Sequence, residues 1–125
     1  MAKILIAEDE PDIRDLVGFT LRFGGHTIVM AGNGAEAVEK AKAEQPDMIL
    51  MDVRMPRMTG YEACQLMKTD PLTADIPVVF LTANGQDAEI KAGLDAGAVG
   101  YLIKPFAPME LTARVAELLE KFARK

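Results

Sequence analysis

Asp47-Met48-Ile49-Leu50-Met51-Asp52, residues 47–52, sets four consecutive apolar residues between two acidic ones. A short apolar run of this kind is expected of a buried strand. Similar runs lie at Ile4–Ala7, Thr27–Ala31, Val78–Leu81 and Val99–Ile103, and several of them are rich in Val and Ile. The sequence therefore predicts five short buried strands.

Segments with helical periodicity separate these runs. The first helix is predicted to begin near Pro11 and to end at Gly24-Gly25, because proline suits the first turn of a helix and glycine its end. Its apolar face is predicted to comprise Ile13, Leu16, Val17, Thr20 and Leu21. In the second helix, Asn33 with Glu36 is a candidate cap, and the helix must stop before Pro46.

The remaining helices carry signals of unequal strength. Thr59 and Glu62 form a capping box that begins the third helix. Its apolar positions are Ala63, Leu66 and Met67. A weaker helix, containing Ala and Gly, is predicted from Asn84 to Asp95, and Pro108 begins a strongly amphipathic fifth helix. The apolar positions of the fifth helix are Leu111, Val115, Leu118, Leu119 and Phe122.

The predicted order is strand–helix repeated five times, without repeats, low-complexity stretches or an internal linker. Parallel strands need right-handed crossover connections, so this alternation indicates a parallel sheet with helices on both faces. Five strands are too few for a closed eight-stranded barrel. The expected fold class is therefore α/β, an open doubly wound five-stranded sheet, and residues 1–125 are expected to form a single domain.

Composition excludes several classes of function. The net charge of −5, from 14 basic and 19 acidic residues, disfavours direct nucleic-acid binding. No apolar run reaches the roughly 20 residues of a membrane span, and the N-terminus lacks a secretory signal, so no membrane partner is expected. Cys64 is the only cysteine, which excludes an internal disulfide and a CxxC site. Together these features favour a cytoplasmic location.

Polar residues follow four of the predicted strands. Glu8 and Asp9 follow the first strand, Asp52 ends the third, Thr82 ends the fourth and Lys104 follows the fifth. Open α/β sheets bind ligands outside the carboxyl ends of their strands, where the strand order reverses. Each of these residues alone is as readily a helix cap or a solvated side chain. With the first and third strands adjacent, all five side chains would converge on one edge of the sheet.

Such a cluster of carboxylates needs a compensating charge. Two carboxylates 4 Å apart repel by about 1 kcal/mol in water and about 4 kcal/mol at an effective dielectric of 20. Mg²⁺ suits carboxylate and phosphate oxygens, whereas Zn²⁺ does not fit because His26 and Cys64 lie elsewhere in the sequence. A carboxylate beside a metal can take up a phosphoryl group, with charge from Lys104 and a hydrogen bond from Thr82.

The whole chain resembles a response-regulator receiver domain of the CheY type. The residues that carry the resemblance are Glu8-Asp9, the run from Asp47 to Pro56, Gly60, Thr82-Ala83 and Lys104-Pro105-Phe106. They span nearly the full length of the chain and are specific jointly rather than singly. The resemblance, and not the residues themselves, implies the strand order 2-1-3-4-5.

The resemblance also implies a role for each site residue. Asp52 would accept phosphate from a phosphohistidine on a sensor histidine kinase or a histidine phosphotransfer protein. The metal ligands would be Asp9, Asp52 and the backbone carbonyl of Arg54, with Glu8 acting through water. Mg²⁺ is the implied ion, and Mn²⁺ is an expected substitute. Lys104 would contact the phosphoryl group.

The implied output is a change of protein surface rather than a catalysed reaction. Thr82 would move toward the phosphate, and Tyr101 would turn inward to remodel the face formed by the fourth helix, the fifth strand and the fifth helix, where a downstream protein binds. Arg54 and Asn84 would tune the phosphate lifetime, and the bond to Pro105 is a candidate cis peptide. The expected activities are slow self-phosphorylation and autodephosphorylation only, in a monomer or a phosphorylation-dependent dimer.

One position departs from the family pattern, since Thr59 stands where relatives often carry Asp. Thr is still a good helix cap, so the chemistry of the site is not put in doubt. No effector segment or DNA-binding helix-turn-helix is expected within residues 1–125, which leaves open a stand-alone regulator or a receiver cut from a longer protein.

Three other functions are compatible with parts of the sequence. Gly32-Asn33-Gly34-Ala35-Glu36-Ala37 matches a dinucleotide-binding motif, but it follows the second strand and leaves Lys104 unexplained. An aspartyl-phosphate hydrolase would need an acid two residues after its nucleophile, where this chain has Arg54. A receiver-like domain that only binds proteins is disfavoured by the intact Asp9, Asp52, Thr82 and Lys104.

Overall fold

The computed structural model describes residues 2–82, 87–104 and 106–122. For residues 87–90 it describes the backbone only. The strands are β1 Lys3–Ala7, β2 Thr27–Ala31, β3 Met48–Asp52, β4 Val78–Thr82 and β5 Gly100–Ile103. The helices are α1 Pro11–Phe23, α2 Gly34–Glu44, α3 Gly60–Lys68, α4 Asp87–Asp95 and α5 Pro108–Phe122. Strand and helix alternate as the sequence predicts.

All strand pairs in the sheet are parallel, and the order is β2-β1-β3-β4-β5. β1 pairs with β2 on one side and β3 on the other, so the order reverses between β1 and β3. This confirms the α/β doubly wound class and the 2-1-3-4-5 order. The carboxyl ends of β1 and β3 are therefore neighbours, which is the condition for a shared site.

The central strands β1, β3 and β4 are buried on both faces, whereas the edge strand β2, predicted as buried, is mostly half-buried. Ile49 and Met51 of β3 pack into one core, whereas Met48 and Leu50 pack into the other. The first core includes side chains of α2 and α3, and the second includes side chains of α1 and α5. Burial on both faces explains why β3 is continuously apolar instead of alternating.

Local signals place the helix ends. The Asn33 side chain accepts a hydrogen bond from the Glu36 N–H at 2.9 Å, and Thr59 and Glu62 form the predicted reciprocal capping box. Proline occupies the first turn of α1, and Gly25 lies just beyond that helix with φ of 96°. The predicted caps and the start of α1 are thus confirmed. The predicted start of the fourth helix at Asn84 lies outside the described residues.

Three predicted core positions are wrong. Leu16 of α1 is 49% exposed, Leu66 of α3 is 48% exposed and Phe122 at the end of α5 is 41% exposed. Val17 and Leu21 take the buried face of α1, and Ala63 and Met67 take that of α3. Helical spacing alone defines a wide apolar stripe, and packing against the sheet covers only part of it.

One glycine allows α3 to lie close to the end of β3. A Cβ on Gly60 would lie 2.3 Å from the backbone oxygen of Asp52, which cannot move aside like a flexible side chain. Gly60 also donates its N–H to the Val53 carbonyl at 2.9 Å. The close approach of α3 to the end of β3 therefore requires a residue without a side chain.

We expect Gly60→Ala to lower the free energy of unfolding by about 2–3 kcal/mol, because the methyl group overpacks a rigid backbone contact. Gly100→Ala is the matched control, since its Cβ would meet the nearest atoms at ordinary contact distances of 3.5–4.0 Å. Urea unfolding of both variants measures the difference. Equal stability of the two variants would contradict this account of Gly60.

Among the described residues, no helix is both long and apolar enough to cross a membrane.

Candidate functional site

The site forms where four strands end at the same edge of the sheet. Glu8 and Asp9 follow β1, Asp52 is the last residue of β3, Thr82 is the last of β4, and Lys104 follows β5. The register places Asp52 beside Leu81 and Thr82 beside Ile103. These predicted site residues, more than 90 positions apart at the extremes, thus belong to one edge.

Three carboxylates form the centre of the site. Glu8, Asp9 and Asp52 each present one oxygen, and these oxygens lie within 4.8 Å of one another. Glu8 is fully buried and Asp52 is 6% exposed, whereas Asp9 remains accessible to solvent. Oxygen ligands at this separation suit a hard divalent cation, so the cluster could hold a metal ion. Among the described residues, this cluster is where at least three possible metal ligands come together.

Lys104 supplies positive charge inside the cluster. Its Nζ donates a hydrogen bond to Glu8 Oε1 at 2.7 Å and lies 3.4 Å from Asp52 Oδ2. The Lys104 backbone N–H also donates to the Thr82 carbonyl at 2.7 Å, which anchors the residue to the end of β4. The sequence predicts a lysine aimed at the phosphate position. It does not predict that the same ammonium pairs more closely with Glu8 than with Asp52.

Backbone groups hold the two buried carboxylates in place. The Glu10 N–H donates to Glu8 Oε2 at 3.3 Å, and the Arg54 N–H donates to Asp52 Oδ1 at 3.4 Å. Arg14 donates to the Glu8 carbonyl oxygen at 3.0 Å. The loops after β1 and β3 therefore orient the acidic side chains before any ligand arrives.

The electrostatics reflect crowding and burial. Burial raises the pKa of the Glu8 carboxyl, and its contact with Asp52 raises this pKa further, although Lys104 partly offsets both effects. The pKa of Asp9 is raised first by burial and then by Glu8. Burial alone would lower the pKa of Lys104, but its carboxylate partners outweigh that effect and raise it. The cluster therefore favours an additional cation.

Thr82 ends β4, and Tyr101 lies on the neighbouring strand β5. Thr82 is 5% exposed, which places its hydroxyl in the buried part of the edge. Tyr101 pairs in register with Phe80 and is partly buried against the core that includes side chains of α2 and α3. Phe80 in turn makes an edge-to-face contact with Tyr61, with ring centroids 5.2 Å apart. Tyr101 therefore lies on β5 directly beside Phe80, which belongs to this aromatic pair.

Two predicted site residues, Asn84 and Pro105, lie outside the described residues.

Neither of the two potential zinc ligands, Cys64 and His26, belongs to the carboxylate cluster. Cys64 is buried in α3 and its thiol donates to the Ala96 carbonyl, and burial raises the pKa of this thiol to about 11. His26 precedes β2 and its Nδ1 accepts a hydrogen bond from the Ala2 N–H at 3.3 Å.

The structure argues against the dinucleotide-binding alternative. The Gly32 N–H donates to the Glu36 carboxylate, and Asn33 caps the following helix. A Cβ on Gly34 would lie 2.3 Å from the Met58 backbone oxygen, so this glycine is required by packing. The groups that would bind a pyrophosphate are therefore already occupied within the chain.

Comparison with known proteins agrees with the geometry. Residues 4–116 match the family model described as the response regulator receiver domain. The chain is 42% identical over 124 residues to the DNA-binding dual master transcriptional regulator RpaA of Synechocystis, covering 99% of this chain and 52% of that protein. The chain thus spans about half the length of the curated relatives it matches.

Solved structures give the same result. Chemotaxis response regulator CheY4 of Vibrio cholerae superposes with a TM-score of 0.91 at 34% identity, covering 95% of this chain and 99% of that one. The receiver domain of sensor histidine kinase PA1611 from Pseudomonas aeruginosa superposes with a TM-score of 0.85 at 30% identity, covering 97% and 96% of the two chains. That structure has a magnesium ion coordinated in its active site cleft.

Proposed function

The chain belongs to the response regulator receiver domain family, and from this membership and the acidic cluster we propose that Asp52 is its phosphoacceptor. A two-component response regulator is a regulator rather than a metabolic enzyme, so phosphorylation of Asp52 would act as a switch. The observation that carries the proposal is the convergence of oxygens of Glu8, Asp9 and Asp52 within 4.8 Å, with Lys104 paired to Glu8 and Asp52.

Asp52 is the carboxylate best placed for the attack. A carboxylate oxygen of Asp52 would form a bond to phosphorus while the bond from phosphorus to the histidine nitrogen of a sensor kinase or phosphotransfer protein breaks. The imidazole leaves with the electron pair of that bond. Lys104 Nζ, 3.4 Å from Asp52 Oδ2, would stabilise negative charge on the transferred group.

The acidic cluster also fits a magnesium site. Asp9, Asp52 and the backbone carbonyl of Arg54 would be the ligands, and buried Glu8 would act through water while it stays paired with Lys104. Bound Mg²⁺ would neutralise charge on the phosphoryl oxygens. Mn²⁺, which also prefers oxygen ligands, is expected to substitute.

Signal output would pass through the end of β4. Thr82 would donate its hydroxyl to a phosphoryl oxygen, and Tyr101 would turn inward and change the α4–β5–α5 face for a downstream protein. Phosphorylation adds a charge of about −1.5 to −2 at this buried edge, which is enough to bias a two-state element. Slow self-phosphorylation from small donors and slow loss of phosphate complete the proposed cycle, with Arg54 and Asn84 tuning its lifetime.

The test is phosphorylation by acetyl phosphate, followed by mass spectrometry of the intact chain and of its peptides. The proposal expects one added phosphate, located on Asp52, with Mg²⁺ and none with a chelator. A phosphate on any other residue, or equal labelling in the chelator, would refute the assignment.

Mg²⁺ should also stabilise the folded chain, since an ion that binds only the native state raises the melting temperature by mass action. Protons compete with Mg²⁺ for the carboxylates of Glu8 and Asp9. Because the pKa values of both groups are raised, this competition begins at a higher pH than it would for ordinary carboxyls. Stabilisation should therefore be full when both groups are ionised and should decline as pH falls through their folded pKa values.

Thermal unfolding with and without Mg²⁺, at about pH 7.5 and about pH 5, measures this effect. Asp9→Asn should lose most of the stabilisation, whereas Asp12→Asn removes an exposed carboxylate beside the cluster and should keep it. An equal Mg²⁺ effect in both variants would show that the ion binds elsewhere.

A further inference from the structure

The outer face of α1 is apolar, and no residue that the structure describes covers it. Phe19 is 70% exposed and Phe23 is 88% exposed, and Leu16 beside them is 49% exposed. Met109 at the start of α5 is 84% exposed. These side chains line a groove of about 600 Å³ between α1 and α5. We call these four residues the α1 face.

Exposed apolar side chains grouped in this way usually mark an interface. Val17 and Leu21 already supply the contact between α1 and the sheet, so the α1 face is not needed for the fold. The groove lining is almost entirely apolar, which fits another helix better than a charged ligand.

The spacing on α1 is that of a helix-pairing seam. Leu16, Phe19 and Phe23 follow one another at intervals of three and four residues, the pattern of a and d positions in a heptad. Asp15 and Arg22 are seven residues apart, each directly before an a position, and both are exposed. Neither has an ion-pair partner within the described residues.

The charges on this seam are complementary to themselves. When two copies of α1 pack antiparallel with Leu16 against the partner's Phe19, the register brings Asp15 opposite the partner's Arg22. Two-fold symmetry repeats both contacts, so one arrangement forms two apolar layers and two ion pairs. Thr20 and α5 lie on the opposite side of the seam, where Met109 of each copy can close the apolar groove.

We propose that the α1 face binds a second copy of this chain in an isologous, antiparallel α1–α1 contact that is specified by Asp15 and Arg22. This dimer does not depend on phosphorylation of Asp52, and it uses a surface separate from the α4–β5–α5 face. A parallel contact would not bring Asp15 opposite the partner's Arg22, so it would lack these ion pairs.

Sedimentation equilibrium of the chain from about 10 µM to about 1 mM tests the proposal, a range suited to a weak dimer. The wild-type chain should self-associate. D15R and R22D each set like charges opposite one another and should weaken the dimer by at least about tenfold, because like-charge contacts are strongly unfavourable. The double variant D15R/R22D restores opposite charges and should dimerise again.

A mixture of the two single variants gives the sharpest result. All facing charges are then opposite, so an equimolar mixture should form heterodimers while each variant alone stays monomeric. Phe19→Ser should abolish dimerisation, and Leu72→Ser, which alters an apolar side chain 57% exposed outside the α1 face, should leave it unchanged.

Two results would overturn the proposal. One is a wild-type chain that remains monomeric throughout the concentration range. The other is loss of phosphotransfer from a histidine kinase in Phe19→Ser without any change in self-association, which would assign the α1 face to the kinase instead.

Discussion

Asp52→Asn should abolish phosphorylation of the chain by acetyl phosphate. The amide nitrogen that replaces one carboxylate oxygen removes the negative charge of the nucleophile and one oxygen ligand of the proposed metal site. The substitution is nearly isosteric, so the N–H of Arg54 keeps an oxygen acceptor if the amide oxygen takes the place of Oδ1. Phosphorylation should therefore be lost while the fold is retained.

Intact-mass spectrometry measures the phosphorylated fraction of each variant, and urea unfolding checks the fold. Asp95→Asn is the matched control, because Asp95 is an exposed carboxylate on α4 and should leave phosphorylation at the wild-type level. Full phosphorylation of Asp52→Asn would place the phosphoacceptor at another residue.

Lys104→Met should produce the largest loss of stability. Glu8 is fully buried and its Oε1 lies 2.7 Å from Lys104 Nζ, so this substitution leaves an ionised carboxylate without its cation. Breaking a buried ion pair on one side costs about 3–5 kcal/mol. Proton uptake by Glu8 limits the cost, since burial already raises the pKa of this group.

The sign of the pH dependence follows from that raised pKa. The penalty is present above the folded pKa of Glu8, where the group is ionised, and it is relieved as pH falls through that value. Urea unfolding of Lys104→Met relative to wild type should therefore show a smaller difference at about pH 5 than at about pH 7.5.

A double-mutant cycle separates this effect from general packing. Lys104→Met in a Glu8→Gln background should cost much less than in the wild type, because the buried charge is already absent. Lys42→Met is the control: its exposed ion pair with Asp70, at 3.3 Å, should contribute less than about 1 kcal/mol. An equal cost of Lys104→Met in both backgrounds would refute the pairing with Glu8.

The strands were predictable because β3 is apolar at successive positions, and only burial on both faces makes such a pattern stable. Helix starts were predictable for a different reason. Asn33 and Thr59 each accept a hydrogen bond from a backbone N–H three residues away, so the signal is local. The five site residues could be placed because each ends or follows a strand, and parallel strands end at one edge.

The errors arose where a property depends on the orientation of a whole element. Leu16 and Leu66 have the spacing of core residues, but each lies on the flank of its helix and remains about half exposed. The rotation of α1 against the sheet is set by its packing with β2 and α5, which involves residues distant in sequence. Periodicity in one segment carries no information about these contacts.

The order of elements, the helix caps and the chemical types gathered near Asp52 follow from the sequence alone, because they depend on short-range spacing and on strand ends. The close pairing of Lys104 with Glu8 depends on the three-dimensional packing, since this contact joins groups 96 residues apart. The outward orientation of Phe19 and Phe23 depends on the same packing. Both outcomes depend on how far each side chain is removed from water, and that is a property of the packed chain rather than of any segment.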